Sequence, residues 1–341
     1  MLSNKYRKGI MRELTIKETQ QVSLEILYTI TQICEKQGLR YSLIYGTLIG
    51  AIRHQNYIPW DDDVDIMMPR PDYEKLLKYL EKHIKDYPHL SVFNCDQCKK
   101  YPYMITRISD NRYVIKMENE KPYGMGIFID IYPYDGLGTT KKEAVKYGMK
   151  GDRLSSMCYQ ATRDHFAIET TTSIIRKIIK FPIYAIAKLI GKNYFQKKLQ
   201  RLAGLKAYDK SKYIGCVVWL SGGEKDIFLR KWFDETIFKP FGKYEFRVPK
   251  EYDKVLRHTY GDYMKPGSFR RRAFHADLLM PQEALFARGA HSMQAVMHRA
   301  LLRRGRSGRY HFLFGKTLPA GNQSRIRQKG GNGAWRFFII Q

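Results

Sequence analysis

Tyr45-Gly46-Thr47-Leu48-Ile49-Gly50-Ala51-Ile52-Arg53-His54 is followed, across a short link, by Ile58-Pro59-Trp60-Asp61-Asp62-Asp63-Val64-Asp65-Ile66. Four carboxylates within five positions repel strongly unless a cation or protons neutralise them. A divalent metal is the economical reading. If 64–68 is a strand, side-chain alternation turns Asp63 and Asp65 to one side and Val64 and Ile66 into the core. Two carboxylates so placed grip one hard cation. Oxygen-only ligation suits Mg²⁺ or Mn²⁺, which keep several waters and bridge protein carboxylates to substrate phosphates. The bland alternative is a solvated acidic loop, and the run of Asp alternating with Val and Ile into Met67-Met68 argues against it. Upstream, Leu43-Ile44-Tyr45 reads as a buried strand, Gly46-Thr47 as its tight turn and 48–53 as a short helix. Such a turn presents backbone N–H groups at a helix N-terminus, where a phosphate docks.

Two metals clamping a phosphoryl centre need a third carboxylate. Asp130 is the candidate: it lies in the strand-like run Phe128-Ile129-Asp130-Ile131-Tyr132, where an acid between apolar neighbours has no core role. Asp135, before Gly136, reads instead as a turn residue. Of Asp61 and Asp62, one is a candidate metal ligand or base for an acceptor hydroxyl, and the other a solvated or capping residue. Arg53 and Arg107 are the nearest candidates for a phosphate grip. His54 reads as structural. Trp60 suits stacking on a base, enclosing a quaternary ammonium, or building a wall.

The two quoted stretches resemble the nucleotidyltransferase superfamily, in which a hydrophobic strand and a Gly-Gly or Gly-Ser turn precede Asp-x-Asp on the next strand; here Thr47 replaces the usual small residue. They resemble the LicD/fukutin family more closely. Gly126-Ile127-Phe128-Ile129-Asp130-Ile131-Tyr132-Pro133-Tyr134-Asp135-Gly136, Tyr252-Asp253, Leu256 and Tyr260-Gly261-Asp262-Tyr263-Met264 carry the resemblance on, so that it spans roughly 15–265. It implies a nucleotidyltransferase-like mixed-sheet core. It also implies transfer of a phospho-substituent, phosphocholine foremost, from a nucleotide-activated donor such as CDP-choline to a glycan hydroxyl. On this reading Asp63, Asp65 and Asp130 hold Mg²⁺ or Mn²⁺, Asp62 joins them in catalysis, and Gly46, Thr47, Arg53, Trp60 and Arg107 bind substrate.

The 341 residues carry a formal charge of +27, unevenly distributed. Residues 1–265 hold 46 Lys and Arg against 31 Asp and Glu, and residues 266–341 hold 14 against 2. The base also switches, from 32 Lys and 14 Arg to 2 Lys and 12 Arg, where the family resemblance stops. The division expected is therefore a catalytic core over 1–140, a helical and mixed acceptor-binding region over 141–265, and an Arg/Gly-rich tail over 266–341 outside the family fold. Within that tail only 293–304 reads as a helix. No nucleic-acid reader motif accompanies the arginines, so nucleic acid is not the expected partner.

No secretory signal is evident in Met1–Arg12 and no run reaches membrane-span length, so a cytoplasmic setting is expected. The stretch 174–190 alternates apolar and basic residues at helical spacing. A core-packing helix broken or kinked at Pro182 is the preferred reading, with peripheral contact at the inner membrane face, in reach of a lipid-linked acceptor, as the alternative. The five cysteines, an odd count, read as reduced thiols. Cys95 and Cys98 would bind zinc only if Cys158 or His165 came close. Helices are expected over 17–37, 72–82 and 252–260 and through most of 140–205. Strands are expected over 40–45, 64–68, 92–94, 104–108, 113–117 and 126–132.

Overall fold

The computed structural model describes residues 11–116, 121, 123–166, 174–219, 223–265 and 336–340. In chain order the elements are β1 (Met11–Glu13), α1 (Ile16–Lys36), β2 (Ser42–Leu43), α2 (Tyr45–His54), β3 (Asp65–Pro69), α3 (Arg70–His83), β4 (Leu90–Phe93), β5 (Thr106–Asp110), β6 (Tyr113–Lys116) and β7 (Ile127–Gly138). Then come α4 (Lys141–Thr162), α5 (Ile174–Ile190), α6 (Lys192–Leu202), β8 (Tyr213–Gly215), β9 (Phe228–Leu229), β10 (Thr236–Phe241), β11 (Tyr244–Pro249), α7 (Tyr252–Tyr260) and β12 (Arg336–Ile340).

The fold is mixed α/β, as expected. A curled sheet runs β2-β3-β7-β5-β4, with β8 and β9 continuing from the far half of β7. The β3–β7 pair is parallel and its neighbours are antiparallel. The region after 140 is helical through α6 and then returns two short strands, β8 and β9, to the core sheet. The β10–β11 hairpin stands apart from that sheet.

Helix α1 forms because both ends are specified locally. Thr15 and Glu18 make a reciprocal capping box, and Gly38 takes the left-handed conformation just past the end. Its inner face, Ile26, Leu27, Ile30 and Ile33, is buried in the main core.

Several local expectations are corrected. Gly46-Thr47 is not a separate turn. Tyr45, held at φ +55°, reverses the chain within one residue, so that Gly46 and Thr47 lie in the first turn of α2. A left-handed tyrosine costs on the order of 1–3 kcal/mol, here borne by a ring that is fully buried and hydrogen-bonded through its hydroxyl by Tyr134. The helix expected over 72–82 begins earlier, at Arg70, so Asp72, where a cap would be expected, lies within the first turn of α3; it is buried and pairs with Arg40 at 2.6 Å. Asp135 is not a turn residue. It is fully buried in β7, takes two hydrogen bonds from Arg70 at 2.8 Å and one from the Gly204 N–H. Pro182 does not break α5, which continues through it from Ile174 to Ile190.

Arg336–Ile340 of the tail forms β12, pairing with β1 on one side and β6 on the other. Residues 266–335, including the helix expected over 293–304, lie outside the described residues.

Candidate active site

The acidic centre is assembled where β2 hands over to α2 and the following loop returns into β3. Thr47, buried in α2, accepts the Asp65 N–H on its hydroxyl at 2.8 Å, fixing the start of β3 against the helix. A Cβ added at Gly46 would lie 2.8 Å from Asp61 Oδ2, so the absence of a side chain there lets that carboxylate close on the first turn of α2. From the other side Gln20 of α1 donates to the Asp61 carbonyl at 2.7 Å.

The carboxylate oxygens of Asp61, Asp62 and Asp63 approach within 4.8 Å of one another, the one such cluster of three potential ligands among the described residues. Asp65 and Asp130 form the next row. They are register partners on β3 and β7, and Asp130 is in turn the register partner of Arg107 on β5. In-register neighbours on adjacent strands share a face, so Asp65, Asp130 and Arg107 line up across three strands. Arg107 Nε donates to Asp130 Oδ1 at 2.8 Å, and its guanidinium lies over Phe128 at 4.2 Å and Tyr103 at 4.9 Å.

Burial, and then the charges of Asp62, Asp61, Asp65 and Asp130, push the Asp63 carboxyl well above the usual carboxylate range. Four carboxylates thus act on a fifth, and protons or a cation must compensate them. Hard oxygen donors at this spacing fit a divalent ion such as Mg²⁺ or Mn²⁺. β3 begins at Asp65, one residue later than expected. Asp63 lies just before it and groups with Asp61 and Asp62, while Asp65 is the register partner of Asp130.

The remaining candidates are divided. Trp60, 47% exposed, stands at the edge of the acidic loop. Arg107 is committed to Asp130. Arg53 donates to the Tyr263 carbonyl at 2.7 Å and to His54 Nε2 at 2.9 Å, tying α2 to the segment after α7. Zinc is not supported by the geometry, since no described cluster of potential ligands includes Cys95 or Cys98. Gln20 escaped sequence reading because a helix glutamine carries no signal that it will reach a loop carbonyl 41 positions away.

The family profile described as LicD/FKTN/FKRP, nucleotidyltransferase domain, matches residues 38–153, which hold the acidic loop, Arg107 and Asp130. The chain is 30% identical over 256 residues to the lipopolysaccharide cholinephosphotransferase LicD of Haemophilus influenzae, covering 75% of this chain and 93% of that protein. Two uncharacterized proteins, from Rickettsia typhi and Rickettsia prowazekii, are 33% and 35% identical over 87 and 68 residues, or 23% and 20% of this chain and 28% and 23% of theirs. Similarity across nearly a whole relative, joined to a matched domain that contains the acidic centre, means that the chain belongs to the LicD family.

Proposed function

We propose that this protein transfers phosphocholine from a nucleotide-activated donor such as CDP-choline to a hydroxyl of a cell-surface glycan, whether lipopolysaccharide, teichoic acid or capsule. The observation that carries the reading is the convergence of Asp61, Asp62, Asp63, Asp65 and Asp130 in a chain similar to a lipopolysaccharide cholinephosphotransferase. We assign Asp63, Asp65 and Asp130 as ligands of Mg²⁺ or Mn²⁺, with Asp61 close enough to share that task. When bound, such ions polarise the phosphorus and offset charge on the leaving nucleotide.

The protein's own groups supply the rest. We assign Asp62, half-buried where Asp61 is buried, as the group that takes the proton of the acceptor hydroxyl. The acceptor oxygen forms the new bond to phosphorus in line with the bond that breaks, and the nucleoside monophosphate departs with that electron pair. Gly46 and Thr47 shape the acidic centre and so the phosphate site beside it. Trp60 offers an aromatic face to the donor's base or to its quaternary ammonium. Arg107 keeps Asp130 aimed, and Arg53 holds α2 to the Tyr263 segment, so both act on substrate through the groups they position.

We further assign this chemistry to 1–265, with 1–140 as the core and 141–265 on the acceptor side, and leave 266–341 outside the family's fold except for the paired strand β12. A cytoplasmic setting at the inner face of the membrane completes the proposal. Incubation with CDP-choline and glycan acceptors, followed by nucleotide analysis, tests it. CMP appearing together with choline-labelled glycan is the expected result. Pyrophosphate released from a nucleoside triphosphate would indicate nucleotidyl transfer, and no turnover with any donor would indicate a non-catalytic partner in glycan assembly.

A further inference from the structure

The expectation that α5 packs into the core is overturned by its burial pattern. At about 100° per residue, Ile178, Phe181, Ile186 and Leu189 fall within an arc of about 140°, a broad side of the helix centred near Ile178 and Leu189. That face looks outward: Ile178 is 67% and Leu189 88% exposed, and Phe181 and Ile186 are half-exposed. Ile183 and Ile190, four residues before and three after Ala187 and so on the flank of the stripe, are exposed as well, and so is Tyr194 near the start of α6. Ala187, on the opposite side, is fully buried where α5 lies against α4 and α6. The helix is therefore anchored to the protein by its small residue and presents its large apolar ones to solvent. Six of the eleven large apolar side chains exposed among the described residues belong to this one element, too concentrated for ordinary surface scatter.

Charge identifies what covers the stripe. Between residues 174 and 202 there are eight Lys and Arg and no Asp or Glu. Lys188 sits exposed beside the stripe, with Lys197 and Lys198 exposed on α6. A second copy laid face to face would set cations against cations, and the chain's own tail, with 14 basic and 2 acidic residues, would do the same. An anionic bilayer surface satisfies both features, because the apolar face enters the acyl boundary while lysines reach the headgroups.

We propose that α5, flanked by α6, is the membrane-docking element of this protein and binds the surface of an anionic lipid bilayer. The purpose rests on the reading of a lipid-carried glycan acceptor given above, while the physical claim stands on α5 alone. Neither α5 nor any other described helix is long and apolar enough to cross a membrane, so the contact is interfacial.

The test is co-sedimentation of the full chain with vesicles of phosphatidylcholine, alone or with phosphatidylglycerol. Binding to the phosphatidylglycerol vesicles should exceed binding to neutral ones by at least about tenfold and weaken in high salt. Ile186→Glu with Leu189→Glu should remove it while leaving the circular dichroism melt and transfer to a soluble acceptor unchanged. Lys188→Glu with Lys198→Glu should weaken it without touching the stripe. Equal binding by wild type and the Ile186/Leu189 variant overturns the proposal. So does a wild-type dimer that this variant dissociates, or indifference to anionic lipid; if a variant misfolds, lipid and salt dependence of the wild type decide. Transfer to a soluble acceptor without vesicle binding would sink this inference and spare the functional one. Vesicle binding without transfer would do the reverse.

Discussion

Replacing Arg107 by methionine tests whether the acidic centre is held by a balance between one buried guanidinium and a bound cation. The side chains of Arg107 and Asp130 are 6% and 15% exposed, and their contact is 2.8 Å. Removing one partner of a buried pair strands the other charge and costs about 3–5 kcal/mol. Loss of the contacts to Phe128 and Tyr103 adds roughly 0.5–2 kcal/mol, part of which methionine recovers by packing in the same space. For a folded unit of this size that corresponds to a fall in melting temperature of roughly 6–20 °C in EDTA. Excess Mg²⁺ should restore much of the loss, because a divalent ion supplies near Asp130, Asp65 and Asp63 the positive charge that Arg107 no longer does. The assay is thermal or urea unfolding of wild type, Arg107→Met, Asp130→Asn and the double variant, each in EDTA and in Mg²⁺. The double variant should be milder than the sum of the singles by about 2–3 kcal/mol. Strict additivity would refute the reasoning, as would a destabilisation below about 1 kcal/mol or one that Mg²⁺ leaves unchanged.

Asp63→Asn and Asp65→Asn should each abolish transfer while the metal-free melt stays within about 1 kcal/mol of wild type or rises, since a repulsive charge is removed; near-wild-type turnover in either variant would remove the metal assignment. EDTA should stop turnover and Mg²⁺ or Mn²⁺ should restore it, whereas full activity in metal-stripped buffer, or rescue by Zn²⁺ alone, would contradict the site. Asp152 of α4 is buried facing Asp226, and desolvation first, then that neighbouring charge, push its carboxyl up to about 6 against a partial offset from Arg153. The folded state therefore binds this proton more tightly than the unfolded chain, so stability falls as pH rises from about 4 through about 6, by roughly 3 kcal/mol in all. Asp152→Asn should flatten that slope and stabilise the protein at neutral pH, and urea midpoints at pH 5 and 7.5 that shift equally in both proteins would show the carboxyl to be ordinary.

Much of this molecule is written locally. The capping box at Thr15 and Glu18 and the helix 252–260 were legible because caps and amphipathic spacing act within a few residues. The acidic cluster was legible because charges adjacent in sequence must be neutralised wherever the chain goes. Asp130 joined that group as an acid between apolar neighbours in a strand-like run, and the register of β3 with β7 sets it beside Asp65. The sequence could not assign Arg107 between substrate and Asp130, because that depends on two strands far apart in the chain pairing in one particular register. Nor could it show that the buried carboxylates of Asp135 and Asp72 serve ion pairs with Arg70 and Arg40, since an acidic residue beside glycine or at a helix start looks locally like a turn or a cap. The outward face of α5 was beyond it for the same physical reason. Periodicity establishes that a helix has an apolar side, and only the packing of its neighbours decides whether that side meets protein or solvent.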